Sequence, residues 1–445
     1  MKRNQMKQRV AAFLIILLPF LVMGQTSQKA SLPDPADSLT LHQILQTVLA
    51  SYPSVLKAEQ AIQAADAAVG LARSGYYPDI AGQAGYTRLW PVSKLSIPGM
   101  GTFQIYPENN YDAEVDVRQT IYDFSKTSRN IKVEESGKAM AEKSVDLVKQ
   151  KLSLITAVSY YTLVYLQESL KVKDVQLQNL NHHLAFVTKK KETGSATQYE
   201  ILTTQVRIST AENQKVDILT SIKTQQSILN IILGFPVGTD LKVKETLAIA
   251  GSGIHSDSLV GFAIGHRVEM TLAVLNEEHA GLRLRSVKVQ NNPVLSASLS
   301  AGIKNGFIPD LNEPTFNYVA GVGLHVPIFD ATRRKNTIEL IHAEISQSRL
   351  ETEQTKREIS AEVYQNEAAL LASLQKIKQS DLQVKQAEEA LDLAKVSFEN
   401  GAITNLDLLD AETAATESKV NLLKTNADYA ISLARLNISL GKSMQ

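Results

Sequence analysis

One interval governs this chain of 445 residues. Ile121-Tyr122-Asp123 recurs 207 residues later as Ile328-Phe329-Asp330. The same interval carries Gly194 onto Gly401, Thr197 onto Thr404 and Leu202 onto Leu409, and it carries Asn230-Ile231-Ile232-Leu233-Gly234 onto Asn437-Ile438-Ser439-Leu440-Gly441. One interval held without a gap over so long a stretch marks a tandem duplication. Upstream, Pro78 pairs with Pro293 and Ala58 with Ala273 at 215, so an eight-residue difference falls between Pro78 and Ile121, where the first copy has the longer loop. The chain divides into a first copy at 39–234, a joining segment at 235–257 that contains Gly and Ser, a second copy at 258–441 and a tail at 442–445.

The N-terminus stands outside the repeat. Lys2, Arg3, Lys7 and Arg9 precede a 14-residue apolar run from Val10 to Met23, interrupted only by Pro19 and followed by Gly24-Gln25. A basic region, a short apolar region and a small residue before a polar stretch predict a cleaved signal peptide over 1–24, with a linker at 25–38. The run is shorter than the 17–25 residues of a membrane-spanning helix. Cleavage removes four basic side chains and no acidic one from 46 of each, leaving an exported chain at −4. Such a chain has no basic excess for nucleic acid. Its lack of cysteine excludes disulfides, thiolate metal sites and an N-terminal lipid on cysteine.

Each copy reads as helix, hairpin, long helix, helix. The first helix is expected over about 40–74 and its counterpart over 258–289; the long helices are expected over about 125–193 and 331–400. In the second long helix Leu370, Ile377, Val384, Leu391 and Phe398 fall seven apart, with Ser373, Ser380, Ala387, Ala394 and Gly401 three residues after each. Leu163, Leu170, Leu177 and Leu184 repeat the large set in the first copy. Large residues at one seam position and small ones at the other let helices approach closely, as in any coiled coil. Nearly 70 residues span on the order of 100 Å, which two shorter helices of about half that length match when stacked end to end. That arrangement makes the wall of a cylinder.

Four segments, 80–89, 111–120, 294–304 and 317–326, break the helical period. In the second, Ala113, Val115 and Val117 alternate with Asp112, Glu114, Asp116 and Arg118; in the fourth, Tyr318, Ala320, Val322 and Leu324 alternate with Asn317, Gly321, Gly323 and His325. Strands of about ten residues with one apolar face fit a tilted transmembrane β-strand, although a sheet in a soluble domain alternates in the same way. The exported chain and the insertion of each hairpin between long helices favour the membrane. Four strands cannot close a barrel and an open edge in lipid is costly, so several chains must pool them. Two chains give eight strands and three give twelve, and periodicity does not choose.

The turns between the last two helices of each copy carry the sharpest local signal. Gly194 and Gly401 stand where a glycine ends a helix. Thr197 and Thr404 follow as caps, with Glu200 and Asp407 three residues on, completing capping boxes. Asp407 is therefore explained in part as a cap. Asp410 is not, since its counterpart is Thr203. The two acids share one helical face, and several chains around an axis stack them as two acidic rings, a constriction that attracts cations.

The duplicated plan, together with Gly401-Ala402-Ile403-Thr404-Asn405-Leu406-Asp407-Leu408-Leu409-Asp410, resembles TolC-type outer-membrane efflux proteins over about 39–441. The resemblance implies a mainly α fold with inserted transmembrane β, in which a homotrimer pools four strands per chain into a twelve-stranded β-barrel seated in outer-membrane lipid. It implies a long antiparallel α-helical barrel in the periplasm of a Gram-negative cell, with 235–257 in its equatorial region. It also implies a passive exit duct that works with a periplasmic adaptor protein and an inner-membrane transporter of RND, ABC or MFS type. The adaptor would dock on the helix-tip turns at Gly194, Thr197, Gly401 and Thr404, and Asp407 and Asp410 match the acids that ring the family's constriction. Two positions depart from the pattern: a gate arginine falls at Ile403 and a gate aspartate at Gln198, so the family's gate-locking bonds do not carry over.

The alternative from another class is a periplasmic coiled-coil adaptor. Such a protein carries one helical hairpin flanked by small β-domains, against the tandem duplication here. An enzyme finds little support. His182 and His183 are adjacent, so they point about 100° apart on a helix and read as solvated. No phosphate-binding loop, nucleophile elbow or zinc-binding helix motif appears, and neither cofactor nor metal is expected. The loop at 90–110 holds Trp90, Phe103, Tyr106 and three prolines, Pro91, Pro98 and Pro107. It is expected at the extracellular mouth, where Trp90 suits an interfacial aromatic belt.

Overall fold

The computed structural model describes residues 38–244 and 259–443, all within one structural unit. The signal peptide at 1–24, nearly all of the 25–38 linker and the part of the joining segment from 245 lie outside the described residues. The element order is α1 (Leu41–Ser51), α2 (Pro53–Ser74), β1 (Asp79–Arg88), β2 (Lys94–Ile97), β3 (Gly101–Gln104), β4 (Asn109–Tyr122), α3 (Lys126–Glu192) and α4 (Gln198–Leu233). It continues with α5 (Leu259–His266), α6 (Val268–Val289), β5 (Val294–Lys304), β6 (Thr315–His325), α7 (Arg333–Glu399) and α8 (Asn405–Ser439).

Both long helices run for 67 residues. Each is flanked by two shorter helices in succession. Ion pairs Arg73–Glu135, Asp66–Lys138 and Glu59–Lys149 fix α2 antiparallel to the first half of α3. Asp174–Lys215 ties the second half of α3 to α4. In the second copy Arg283–Glu344 and Glu277–Arg349 join α6 to α7, and Glu388–Lys419 joins α7 to α8. The seam read from sequence lies inward, with Leu370, Ser373, Ser380 and Phe398 of α7 buried. In the first copy Leu163 is buried and Leu170, Leu177 and Leu184 are half-buried, with Leu180 and Val187 three residues after the last two fully buried.

The expected single helix at the start of each copy is broken in two. In the first copy the cause is Pro53, which lacks an N–H and forces Tyr52 into an extended conformation at φ −69°, ψ 131°. In the second, Arg267 takes the same conformation at φ −72°, ψ 134° without a proline. Its buried guanidinium is held between Glu269 and Glu362. Around the first break lies the largest apolar core, in which Ile44, Val48 and Val55 meet Leu163, Leu229 and Leu233. The segment after α4 closes over this core. Leu39 and Val243 form a parallel bridge, and the Tyr160 hydroxyl donates to the Lys244 carbonyl at 2.7 Å.

The four long strands form one antiparallel sheet in the order β1-β4-β5-β6, leaving β1 and β6 as free edges. Its register sets Glu114 opposite Gln83 on one side and Gly302 on the other. On that face Glu114 accepts hydrogen bonds from Gln83 Nε2 at 2.7 Å and Ser300 Oγ at 2.8 Å. The opposite face is apolar and exposed: Ile80, Tyr86, Tyr111, Val115, Leu299, Ile303, Tyr318, Val322 and Leu324 all face outward. Gly302 is required where the strands meet, because a Cβ there would lie 2.2 Å from the Ala113 carbonyl oxygen. The loop expected at 90–110 contains a second, smaller sheet, the hairpin β2–β3.

The motif that reveals the duplication marks the passage from strand to long helix. Phe124-Ser125 and Ala331-Thr332 each hold two successive residues at positive φ, at equivalent positions of the copies. Side chains with a Cβ adopt this region only when their surroundings compel it. The preceding aspartates supply that constraint. Asp123 Oδ2 accepts from the Thr127 N–H at 2.6 Å, and Asp330 Oδ2 from the Arg334 N–H at 3.1 Å.

Candidate functional site

The two turns at the ends of the long helices share one construction. After α3 the Ser195 N–H donates to the Lys190 carbonyl at 2.8 Å, and after α7 the Ala402 N–H donates to the Ser397 carbonyl at 2.8 Å. This pattern needs a left-handed residue after the last helical turn. Gly194 at φ +78° and Gly401 at φ +72° supply it. Each turn then closes with a capping box. The Glu200 N–H donates to Thr197 Oγ1 at 3.3 Å, and the Asp407 N–H donates to Thr404 Oγ1 at 3.2 Å.

The two aspartates are used differently. Asp407 turns back on its own cap: its Oδ2 accepts from the Thr404 hydroxyl at 2.6 Å and the Thr404 N–H at 2.9 Å. Those bonds, from the hydroxyl first and the backbone second, hold its carboxyl below the usual carboxylate range. Asp410 reaches across to α4 and pairs with Arg207. Both acids stay exposed on α8. Arg207 has no sequence signal of its own, because its partner lies in the other copy.

A buried side chain between them joins the two helical hairpins. Asn405, the first residue of α8, is enclosed. Its Nδ2 faces the Glu200 carbonyl at 3.4 Å and the hydroxyls of Thr203 at 3.3 Å and Thr204 at 3.4 Å. Both hydroxyls already donate to the Glu200 carbonyl, so they accept from the amide. The Asn405 Oδ1 is thereby left to face His183 Nε2, 2.6 Å away, and this nitrogen must carry the proton. His183 is therefore a half-buried joint between α3 and α8, which corrects its reading as a solvated residue; His182 is exposed. Phe186, Phe398 and His183 meet around the joint in tilted and edge-on pairs, with the Lys190 ammonium 4.9 Å from both phenylalanine ring centroids.

Two ionisable groups are buried deeper in the same region. Glu412 lines a cavity of about 280 Å³ with Asn179, His182, His183, Lys395 and Glu399. Burial pushes its carboxyl up, opposed by Lys395 and by a hydrogen bond from Asn179. Lys173, at a position where a helical lysine would be expected in solvent, is buried between α3 and α4 and donates to the Gln176 and Gln214 side-chain oxygens at 2.8 Å each. Burial pushes its ammonium down, opposed by Glu417.

Comparison with known proteins agrees with this architecture. The profile of the family described as "Outer membrane efflux protein" matches residues 44–234 and 259–442. The chain is similar to the "Outer membrane protein TolC" of Salmonella enteritidis, with 20% identity over 96% of this chain and 86% of that protein. It is similar to the "Proteases secretion protein PrtF" of Dickeya chrysanthemi, with 22% identity over 68% of this chain and 67% of that protein. Among solved structures, the CmeC outer membrane channel of Campylobacter jejuni superimposes with a TM-score of 0.77 at 14% identity, covering 90% of this chain and 85% of that one. The outer membrane protein VceC of Vibrio cholerae superimposes with a TM-score of 0.76 at 20% identity, covering 91% and 97%. Nothing in these likenesses supports the adaptor alternative.

Proposed function

Because the chain belongs to the outer membrane efflux protein family, we propose that three copies pool their sheets into one twelve-stranded barrel and their helices into one duct beneath it. The protein is the outer-membrane exit duct of an efflux or secretion system, passing small molecules or export substrates outward. It works with a periplasmic adaptor and an inner-membrane transporter.

One observation carries the reading that several copies pool their sheets; the number three comes from the family, not from the sheet. The sheet has four strands long enough to cross the outer membrane, an exposed apolar face, a polar face bearing Asp112, Glu114 and Asp116, and two unpaired edges. In lipid those edges must be satisfied, and only the edges of other copies can close the ring. The apolar face then meets lipid and the polar face lines the lumen. The helical portion, on the order of 100 Å long, stands in the periplasm. Its capped turns at Gly194–Thr197 and Gly401–Thr404 are the docking points for the adaptor. Asp407 and Asp410 ring the tip, with Arg207 offsetting part of the Asp410 charge.

The mass and shape of the detergent-extracted protein test the assembly; an elongated trimer is expected, and a water-soluble monomer or dimer would overturn it. The ring is tested separately by divalent-cation block of single-channel conductance. Block should weaken in the double variant Asp407→Ala, Asp410→Ala, and unchanged block would leave Asp407 as a cap alone.

A further inference from the structure

We propose that the hairpin β2–β3 is a clamp between subunits, seating its apolar face on the β5–β6 loop of the neighbouring copy of this chain. The inference rests on the three-chain barrel proposed above. The hairpin is two-faced. Its register pairs Lys94 with Gln104, Leu95 with Phe103, Ser96 with Thr102 and Ile97 with Gly101, and the Ile105 N–H continues the ladder to the Ser93 carbonyl. Directly opposed residues share a face, so Leu95, Ile97, Phe103 and Ile105 form one side. Lys94, Ser96, Thr102 and Gln104 form the other, where the Ser96 and Thr102 hydroxyls are 2.9 Å apart. Every residue of the apolar side is exposed, with Leu95 at 50% and Phe103 at 48%. A two-stranded ribbon is marginal in water without something on its apolar face, and a contiguous apolar patch marks an interaction surface.

The occupant follows from position. Lipid is excluded as the main cover, because β1 with 10 residues and β5 and β6 with 11 each already match the length that crosses a bilayer. The hairpin stands beyond that span, at the end of the sheet away from the helices. The chain's own β5–β6 loop does not cover it either. That loop docks at the base, where Asn305 donates to the Asn109 carbonyl at 2.7 Å and accepts from the Tyr111 N–H at 2.8 Å. The hairpin's other flank is β1, a free edge. Closing the barrel sets β6 of the next copy antiparallel to β1. The Arg88 end of β1 then meets the Thr315 end of that β6, and the loop leading into it lies beside the hairpin. That loop presents Ile308, 83% exposed, and Phe316 follows it at the start of β6. Apolar side chains without cover thus stand on both sides of one seam, and the clamp buries them together.

The chain has no cysteine, so engineered thiols report unambiguously. Two tagged forms, one carrying Leu95→Cys and the other Ile308→Cys, are co-expressed and oxidised in outer-membrane vesicles. A covalent pair of the two tagged chains on a non-reducing gel is expected, as is a covalent trimer when both substitutions sit in one chain. Trp90 is the sole tryptophan, so the variant Trp90→Phe, Phe103→Trp places a single fluorophore on the clamp face. Its emission should be insensitive to brominated lipid. A trimeric mass with no cross-link, or strong quenching by brominated lipid, would overturn the clamp and leave the duct intact. Loss of the trimeric mass in the unsubstituted protein would overturn the duct reading and the clamp with it.

Discussion

Replacing Asn405 by alanine should loosen the junction between the two helical hairpins of each chain by an amount that can be worked out in advance. The amide makes one short bond to His183 Nε2 at 2.6 Å and three long ones at 3.3 to 3.4 Å to Glu200, Thr203 and Thr204. The threonine hydroxyls keep their own donor bonds to the Glu200 carbonyl, so the substitution leaves them little worse off. His183 loses its acceptor in a half-buried place. Leaving one such donor unsatisfied costs about 1–3 kcal/mol, and each net hydrogen bond contributes about 1 kcal/mol. The local opening free energy should therefore fall by roughly 2–3 kcal/mol, which corresponds to amide exchange about 30- to 150-fold faster in the first turns of α8. Hydrogen exchange read by mass spectrometry on peptides from 404–415 measures this. Leu406→Ala, on the exposed side of the same turn, is the control. A double-mutant cycle with His183→Ala should return a coupling near 1 kcal/mol or above. Exchange no faster than in the Leu406 control, or a coupling near zero, would refute the joint.

Three further outcomes follow from the same geometry. Glu412→Gln should stabilise the helical region at neutral pH, because burial raises the folded carboxyl's affinity for its proton. Stability from such a group is greatest below the unfolded carboxyl's range and declines as pH rises through the folded value, so the gain over wild type should vanish on acidification; a difference independent of pH would refute it. A double-mutant cycle on Arg207→Gln and Asp410→Asn should give a coupling of only about 0.2–1 kcal/mol, lost in high salt, since Asp410 is exposed and Arg207 only half-buried; a coupling of several kcal/mol that persists in salt would mean a buried pair. Gly302→Ala should deplete folded protein from the outer membrane through a clash between β4 and β5 of about 1–3 kcal/mol or more, while Gly82→Ala, with open space around it, should not; equal levels of the two would show that the strands are less closely apposed.

The parts of the fold legible in the sequence are those whose cause is local or periodic. A seven-residue seam repeats within one helix, and a capping box spans four residues, so α3, α7 and the turns at Gly194 and Gly401 could be read directly. Alternation exposed the four long strands for the same reason. The break at Tyr52 also had a local signal in Pro53, which a helix drawn over 40–74 overrode. The hairpin β2–β3 had one as well, since alternation over 94–104 around Gly99 and Gly101 is a ribbon pattern within the longer loop. The remaining features had no local cause. Arg267 takes the place of a proline with its guanidinium held by Glu269 two residues on and by Glu362, 95 residues away, and the second partner lies beyond any local reading. Lys173 is buried with one acceptor on its own helix, Gln176, and a second, Gln214 of α4, that only the packing supplies.

The polar contacts between hairpins lie where the two copies have diverged. At the 207-residue interval, Asp410 corresponds to Thr203, Arg207 to Ala414, Asn405 to Gln198, His183 to Ala390 and Glu412 to Gln205. The charged groups and the imidazole have no counterpart of the same kind in the other copy, and the Asn405 amide finds only the longer Gln198, whereas the caps at Thr197 and Thr404 and the seam leucines at 163 and 370 are shared. The shared residues build each hairpin; the unshared ones hold one hairpin against the other. A duplicated chain with identical copies would present two equivalent hairpin tips, and in an assembly of several chains these could pair within a chain or between chains with equal ease. Placing Arg207 and His183 in the first copy and Asp410 and Asn405 in the second removes that degeneracy, because each contact now requires one member from each copy in a defined orientation. Exchanging Arg207 with Ala414 would therefore test which pairing the tip demands: the ion pair between α4 and α8 should be lost, since an arginine at 414 stands four residues from Asp410 on α8 and can pair only within that helix, while both capping boxes remain.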